Sequence, residues 1–301
     1  MIEPSSGSRG RVKLVPRPQQ FWKSWDEVPD LVPEEFMHVK FFVEIFAGKA
    51  GLSRGVQRRG KLAVLPPIEI EVSENVPFAA SIMDEKIKRK LEAWIRAGVI
   101  YLIHFGTPCT SFSRARRDDG GPPPVRNDDN LQGLPGLEGY ELELVTVGNQ
   151  LMVMTAELAT LCSEVGTLWS IENPASSMLW LMPEMLKLRS LNGFIEVPFD
   201  MCVFGGSAKK PTMIWTTCSL SKLAQTCPGQ SSSHRHVELS GKVWCNVKQK
   251  KIWRAKLAQV YPMELCAQWA ALLVIEQPVA SEVDAVLSRW APSLALITSP
   301  N

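Results

Sequence analysis

Cys109 stands in TPCTSFS, residues 107–113, and three arginines follow it at Arg114, Arg116 and Arg117. A thiol is a nucleophile only as the thiolate, and guanidinium charge nearby favours that anion. The apolar run VIYLI (99–103) leads into this stretch, so the cysteine lies where a buried strand should end. The same position also suits one of the inert buried thiols that folded cores commonly hold. Glu172, Asn173 and Pro174 close a second apolar stretch and offer a carboxylate able to share a proton. Pro174 also suits a helix start, which would leave Glu172 an ordinary loop acid. A third group, FAGKAG (46–51), follows a further apolar run. Glycines there let backbone approach a ligand, and a helix N-terminus attracts negative charge. A tight strand-to-helix turn would use the same residues.

For these groups to work together, the elements before them must end along one rim. The sequence KFFVEIFAG (40–48) reads as a buried strand, and GLSRGVQRRG (51–60) as a short helix. Residues 62–72, LAVLPPIEIEV, are β-like, and 85–98, EKIKRKLEAWIRAG, form an amphipathic helix ending in glycine. VIYLIHFG (99–106) is a strand, 107–139 an irregular segment rich in Gly, Pro, Asn and Asp, and 141–166 a long helix. TLWSIEN (167–173) is a strand, SSMLWLMPEMLKLRS a helix interrupted at Pro183, and FIEVPFDMCVFG and PTMIWTTCS two more strands. The chain is helical again from about Trp253. Strands alternating with helices predict an α/β fold, a mostly parallel sheet flanked by helices. Ligands of such sheets bind at the carboxyl ends of the strands, where all three groups fall.

The 301 residues are 45% hydrophobic and 21% charged, enough for a sizeable core. A net charge of +2 neither demands nor excludes nucleic acid, so any basic footprint must be local. Seven cysteines, an odd number, and the polar start MIEPSSGSRG predict free thiols in a reducing, intracellular compartment. No uninterrupted apolar run approaches the roughly 18 residues of a membrane span, so no membrane partner is expected. The expected organisation is an irregular extension over 1–36, a core over 37–217, a small basic insert over 218–251, and C-terminal helices over 252–301. The insert region holds Cys218, Cys227, His234, His236 and Cys245, whose spacing fits no familiar zinc pattern, so no metal site is predicted. Arg235, Lys242, Lys248, Lys250, Lys251 and Arg254 instead suggest a flexible surface for nucleic acid, on which Trp244 and Trp253 could stack on bases or serve as core.

In this order, FAGKAG, TPCTSFS and IENP resemble the cytosine-5 nucleic-acid methyltransferases. GLPGL, VGNQL, ENPASSMLW, FDMCVFGGSAKKPT and VYPMELC extend the resemblance over roughly 41–270, in the manner of a divergent phage-like or mobile-element-like branch. The resemblance implies a Rossmann-like, S-adenosylmethionine-dependent fold and methyl transfer to carbon 5 of cytosine, in DNA rather than RNA. It implies Cys109 as covalent nucleophile, Pro108 shaping its loop, Glu172 stabilising the activated ring, and Asn173 fixing the strand end. It places the cofactor at Phe46, Gly48 and Gly51, with Glu69 or Glu71 on the ribose hydroxyls and Asp84 near the adenine. Arg114, Arg116 and Arg117 would grip phosphates, although they also suit a solvated loop; Lys209 and Lys210 would meet phosphate or base.

The chain departs from the family pattern in several places. Glu-Asn-Pro replaces Glu-Asn-Val, and the family's arginine motif near the target base is not evident. The segment available for target recognition is short, and the family's C-terminal Gly-Asn pair is absent from the end, while Gly148-Asn149 lies ahead of the Glu-Asn motif. These departures leave two other readings: an RNA cytosine methyltransferase with the same residues, and a silent element-derived domain that only binds nucleic acid. A thiol hydrolase built on Cys109 would want a histidine base near the cysteine, but His104 falls within a strand and His234 and His236 lie in the insert.

Overall fold

The computed structural model describes residues 21–70, 80–117, 121–246 and 249–273. Eight strands make one sheet: β1 (Phe41–Ile45), β2 (Ala63–Val64), β3 (Ile68–Glu69), β4 (Ala80–Ser81), β5 (Ile100–Phe105), β6 (Leu168–Pro174), β7 (Ile195–Asp200) and β8 (Pro211–Thr216). Their order is β4-β3-β1-β5-β6-β8-β7, with β2 paired to β1 below β3. Every pairing is parallel except those of β8, which runs antiparallel between β6 and β7. This is the mixed, mostly parallel sheet of a Rossmann-like α/β fold. The chain travels outward from β1 to β4 and then returns to β5 on the other side of β1, which creates the switch point where such sheets open a crevice.

The helices are α1 (Gly51–Arg59), α2 (Glu85–Arg96), α3 (Gly139–Val165), α4 (Pro183–Leu188) and α5 (Met263–Leu272). Alternation along the strands divides the core between the two faces of the sheet. Phe41, Val43, Ile45, Ile103, Phe105, Trp169 and Ile171 point to the face covered by α2, α3 and α4. Phe42, Leu102, Val197 and Ile214 point to the other face, with Leu52 and Val56 of α1 and Leu265 and Trp269 of α5. On that second face Glu44, His104, Ser170 and Thr216 stand opposite one another across β1, β5, β6 and β8. The strands therefore carry a polar row through one side of a core that is otherwise apolar.

Pro66 and Pro67 split the β-like stretch at 62–72 into β2 and β3, because proline cannot donate to a ladder. Pro183 begins α4 instead of interrupting a helix, consistent with a proline's preset φ at a first helical position. β9 (Lys242–Cys245) and β10 (Lys250–Trp253) form an antiparallel hairpin within the basic insert. By length and composition helix α3 could cross a membrane: it has 27 residues, and a stretch of 18 within it has a mean hydropathy of 1.2 with few charges. Its Leu151, Met152, Leu158 and Cys162 are buried against the sheet, so it serves here as a core helix.

The N-terminal extension is less loose than its composition suggests. Among its described residues, Trp22, Trp25, Val28 and Phe36 are buried. Trp22 packs edge-on against Trp94 and Phe36. Trp25 donates from Nε1 to the Pro66 carbonyl at 2.7 Å, and Lys90 reaches from α2 to the Trp25 carbonyl at 2.8 Å. Aromatic burial overrides the scarcity of regular structure. Trp25→Ala should cost about 3–5 kcal/mol of stability by urea denaturation, whereas Leu31→Ala, at a side chain 74% exposed, should stay within about 0.5 kcal/mol.

Candidate active site

The loop after β1 and the loop after β5 meet at the switch point. Gly106 permits it: a Cβ there would lie 2.9 Å from the Phe46 carbonyl oxygen. Phe46 itself has φ of 58° and its ring is buried, while Gly48 has φ of 57° and faces open space. Gly48 is therefore the place where the loop can approach something other than protein. Its N–H donates to Oε1 of Glu69 at the end of β3, and burial raises the Glu69 carboxyl above its ordinary range. Gly51 has a different task, lying in α1 with Cys266 of α5 at 3.2 Å from where its Cβ would be. Asp84 caps α2, its carboxylate accepting from the Lys86 N–H at 2.8 Å. Glu71 lies outside the described residues. Phe46, Gly48 and Glu69 thus lie together at the switch point, while the Asp84 carboxylate is already engaged at a helix end.

Cys109 is half-buried at the end of the β5 loop, and Phe112 N–H turns back to its carbonyl at 3.0 Å. Burial pushes the thiol up, Lys210 draws it down, and Glu172 opposes Lys210. The cation whose charge acts on Cys109 is therefore Lys210, which lies just before β8, 101 residues further along the chain. The arginines do something else. Arg114 forms an ion pair with Asp128, and Arg116 Nε donates to the Pro123 carbonyl at 2.7 Å, bracing the long loop. Arg117 and Lys209 are exposed. Arg116 and Arg117 also fold the loop through their backbone N–H groups, to Ser113 and Pro122.

Glu172 is buried near the end of β6, with a ligand on each oxygen: Lys210 Nζ at 3.5 Å from Oε1 and the Tyr261 hydroxyl, donating, at 3.1 Å from Oε2. Tyr261 in turn lies 3.0 Å from His104 Nε2, and His104 Nδ1 lies 3.0 Å from the Ser170 hydroxyl. Because the tyrosine proton is given to Glu172, His104 Nε2 carries the proton that Tyr261 accepts, and Nδ1 accepts from Ser170. Burial lowers His104 to about 3, so the ring is neutral, as this chain of bonds requires. Burial and the Glu172 charge raise Tyr261 well above the ordinary tyrosine range, keeping it a donor. Asn173 donates to the Thr107 carbonyl at 2.6 Å and so ties the end of β6 to the residue before Pro108. Its Oδ1 is buried without a partner.

Arg126 is the residue that sequence reasoning missed most completely. It is buried in the long loop, where it donates to Ser111 Oγ at 3.1 Å, Asn149 Oδ1 at 2.8 Å and the Val145 carbonyl at 3.1 Å, and lies 4.1 Å over the Phe112 ring. It pins the nucleophile loop to α3. Gly148 and Asn149 lie inside α3: Gly148 leaves room for Ser111, and Asn149 receives Arg126. The signal was present as a lone arginine among prolines and asparagines, without a spacing to give it meaning.

The Cys and His residues of the insert come together more closely than their spacing in sequence suggests. Their mutual spacing argued against a metal cluster, but Cys227, His234 and His236 meet Cys202 from the end of β7, with all four ligand atoms within 4.8 Å of one another. Cys218 is buried beside β8 and Cys245 lies in the hairpin, so neither takes part. A groove lined by Glu92, Arg96, Glu157, Leu161 and Lys187 runs along the outer helices and shares no residue with the strand-end group.

No family model matches the chain, and no curated protein matches it in sequence. Among solved structures it is similar to a methyltransferase, EhMeth, of Entamoeba histolytica, at 10% identity and a TM-score of 0.36, covering 68% of this chain and 58% of that one. It is also similar to a mutant DNMT2 of Spodoptera frugiperda, at 13% identity and a TM-score of 0.31, covering 59% of this chain and 49% of that one. The chain thus spans 58% and 49% of the length of these two proteins. The strand order, not these likenesses, defines the fold.

Glu44 lies beneath the crevice, in the polar row. Its Oε2 accepts from the Ser53 N–H at 2.6 Å, Oε1 is buried without a partner, and burial raises the carboxyl to about 7. The folded protein then holds this proton more tightly than the unfolded chain. Its stabilising contribution is complete below the ordinary value of 4.5 and is lost as pH rises through about 7. Glu44→Gln should remove that loss. Between pH 5 and 8 the variant should gain on the order of 2–3 kcal/mol relative to the natural protein in urea denaturation. An equal fall in both proteins would contradict the assignment.

Proposed function

We propose that this protein transfers a methyl group from S-adenosylmethionine to carbon 5 of cytosine in DNA, through a covalent adduct on Cys109. The observation that carries the reading is the convergence of Cys109, Glu172 and Lys210 on the strand-end rim beside the Gly48 loop. Carbon 5 of cytosine is a poor nucleophile, and a thiolate adding to carbon 6 makes it a better one. Lys210 favours the Cys109 anion against the effect of burial and pairs with Glu172, the carboxylate that would receive the base. As Cys109 sulfur bonds to carbon 6, an electron pair moves into the ring. Glu172, sharing a proton with N3 and accepting from the exocyclic amine, holds the charge that develops. Tyr261 and neutral His104 hold Glu172 at the angle this requires. S-adenosylmethionine supplies an electrophilic methyl group on a sulfonium, and Phe46, Gly48 and Glu69 are the residues that would hold it. Once carbon 5 is methylated its proton passes to a base, the carbon 6–sulfur bond breaks, and the electron pair returns to Cys109.

A base inside a duplex is out of reach of this rim, so it must leave the stack or arrive on a single strand. The insert supports a nucleic-acid partner. Its hairpin carries Trp244, 54% exposed, with exposed Lys250 and Lys251 alongside. Such a surface pairs stacking with phosphate attraction.

Labelled methyl transfer to separate pools of duplex DNA, single-stranded DNA and RNA tests the reading. The expected result is label on carbon 5 of cytosine in duplex DNA, falling to background with Cys109→Ser while S-adenosylmethionine still binds. Glu172→Gln should slow transfer by about 10²–10⁴-fold. Label in the RNA pool alone would replace the substrate, and full activity in Cys109→Ser would overturn the mechanism.

A further inference from the structure

Between Ala224 and Gly241 the chain has no helix or strand, and none of its side chains is fully buried. Apolar packing cannot order such a segment. Of the four half-buried residues in it, three are Cys227, His234 and His236, and the fourth is Leu239. These three turn inward together. Cys227 Sγ lies 3.3 Å from His234 Nε2 and 3.4 Å from His236 Nε2, and the two ring nitrogens are 3.1 Å apart. Cys202, buried in the turn that follows β7, completes the group.

We propose that Cys202, Cys227, His234 and His236 bind one structural zinc ion. With Zn–S of about 2.3 Å and Zn–N of about 2.0–2.1 Å, tetrahedral angles place neighbouring ligand atoms about 3.3–3.8 Å apart, the two sulfurs being the widest pair. The spacing around Cys227 agrees within a few tenths of an ångström. Two sulfurs with two imidazole nitrogens suit zinc over harder cations, which prefer oxygen. Four protein ligands leave no open position, so the ion serves to hold the fold and not to activate water.

The surrounding hydrogen bonds match that role. The Gly229 N–H donates to Cys227 Sγ at 3.3 Å, as backbone donors do to metal-bound thiolates. The Cys227 N–H donates to Asp200 Oδ2 at 2.8 Å, and a turn between Ser231 and His234 presents the histidines. The Val237 N–H then closes onto the Ser207 carbonyl at 2.7 Å. Ser207 belongs to the loop that ends in Lys210, and the Met201 N–H donates to the Lys210 carbonyl at 3.2 Å. The ion would therefore fasten the insert to the loop that carries Lys210 to Glu172. Only this consequence rests on the methyl-transfer reading; the site does not.

Metal analysis of the purified chain tests the proposal independently of any activity. After exposure to zinc and extensive dialysis the natural protein should hold about one zinc per chain. Cobalt(II) in its place should give the intense visible absorption of a tetrahedral thiolate centre. Cys227→Ser and His234→Ala should each lose the metal, while Cys245→Ser should keep it. If the ligand variants do not fold, the stoichiometry and the cobalt spectrum of the natural protein still decide. A natural protein that retains no zinc, an octahedral cobalt spectrum, or full zinc content in folded Cys227→Ser would each overturn the proposal.

Discussion

The parallel pairing of β1 with β5 at the centre of the sheet is the constraint on which the rest depends. Both strands are buried along their length, and their register sets Glu44 opposite His104 and Ile45 opposite Phe105. The loops that follow must then leave the sheet side by side. Backbone contact between Phe46 and Gly106 is possible only without a side chain at position 106. From that one adjacency come a glycine loop facing open space on one side and a cysteine loop on the other. A register slip of one residue in either strand would turn the polar row into the opposite layer of the core and remove His104 from Tyr261.

A second layer of interactions holds polar groups in that apolar setting. Buried polar atoms need partners, and here they find them in series: Ser170 to His104, His104 to Tyr261, Tyr261 to Glu172, Glu172 to Lys210. Each member fixes the next, so the carboxylate at the rim is oriented by residues from β5, β6, the loop before β8 and the turn before α5. Arg126 does the same for the cysteine loop from the other side, with donors spent on Ser111, Val145 and Asn149. Preorganisation of this kind is what a site needs when the chemistry consists of holding a charged ring in place.

Much of this was legible in the sequence. The apolar runs before FAGKAG, TPCTSFS and IENP announced β1, β5 and β6, and their common direction put the three groups on one rim. The helices after them followed from amphipathic spacing and terminal glycines. What stayed hidden depended on distant returns of the chain. Lys210 reaches Glu172 only because β8 reverses between β6 and β7, and no local pattern gives that insertion. The arginines next to Cys109 in sequence were a misleading neighbour for the same reason: a short turn carries them away while a lysine 101 residues later arrives. Tyr261 lay in a recognisable stretch, but its role needed the register of His104 with Ser170. Cys202 was read as strand, and so the Cys and His residues after it lacked their fourth member. Trp22 and Trp25 were masked by the polar, proline-containing composition around them.

The central claim is that Cys109 attacks a cytosine ring, and the adduct itself can be sought. Fluorine at carbon 5 cannot leave as a cation, so a methylated 5-fluorocytosine adduct has no route to release the enzyme. Incubation with S-adenosylmethionine and duplex DNA containing 5-fluorocytosine, followed by intact mass measurement and peptide mapping, reads this directly. The account predicts a stable protein–DNA species one methyl group heavier than the sum of its parts, linked through Cys109. Protein that binds both S-adenosylmethionine and this DNA yet forms no covalent species, or forms one through another residue, would contradict it.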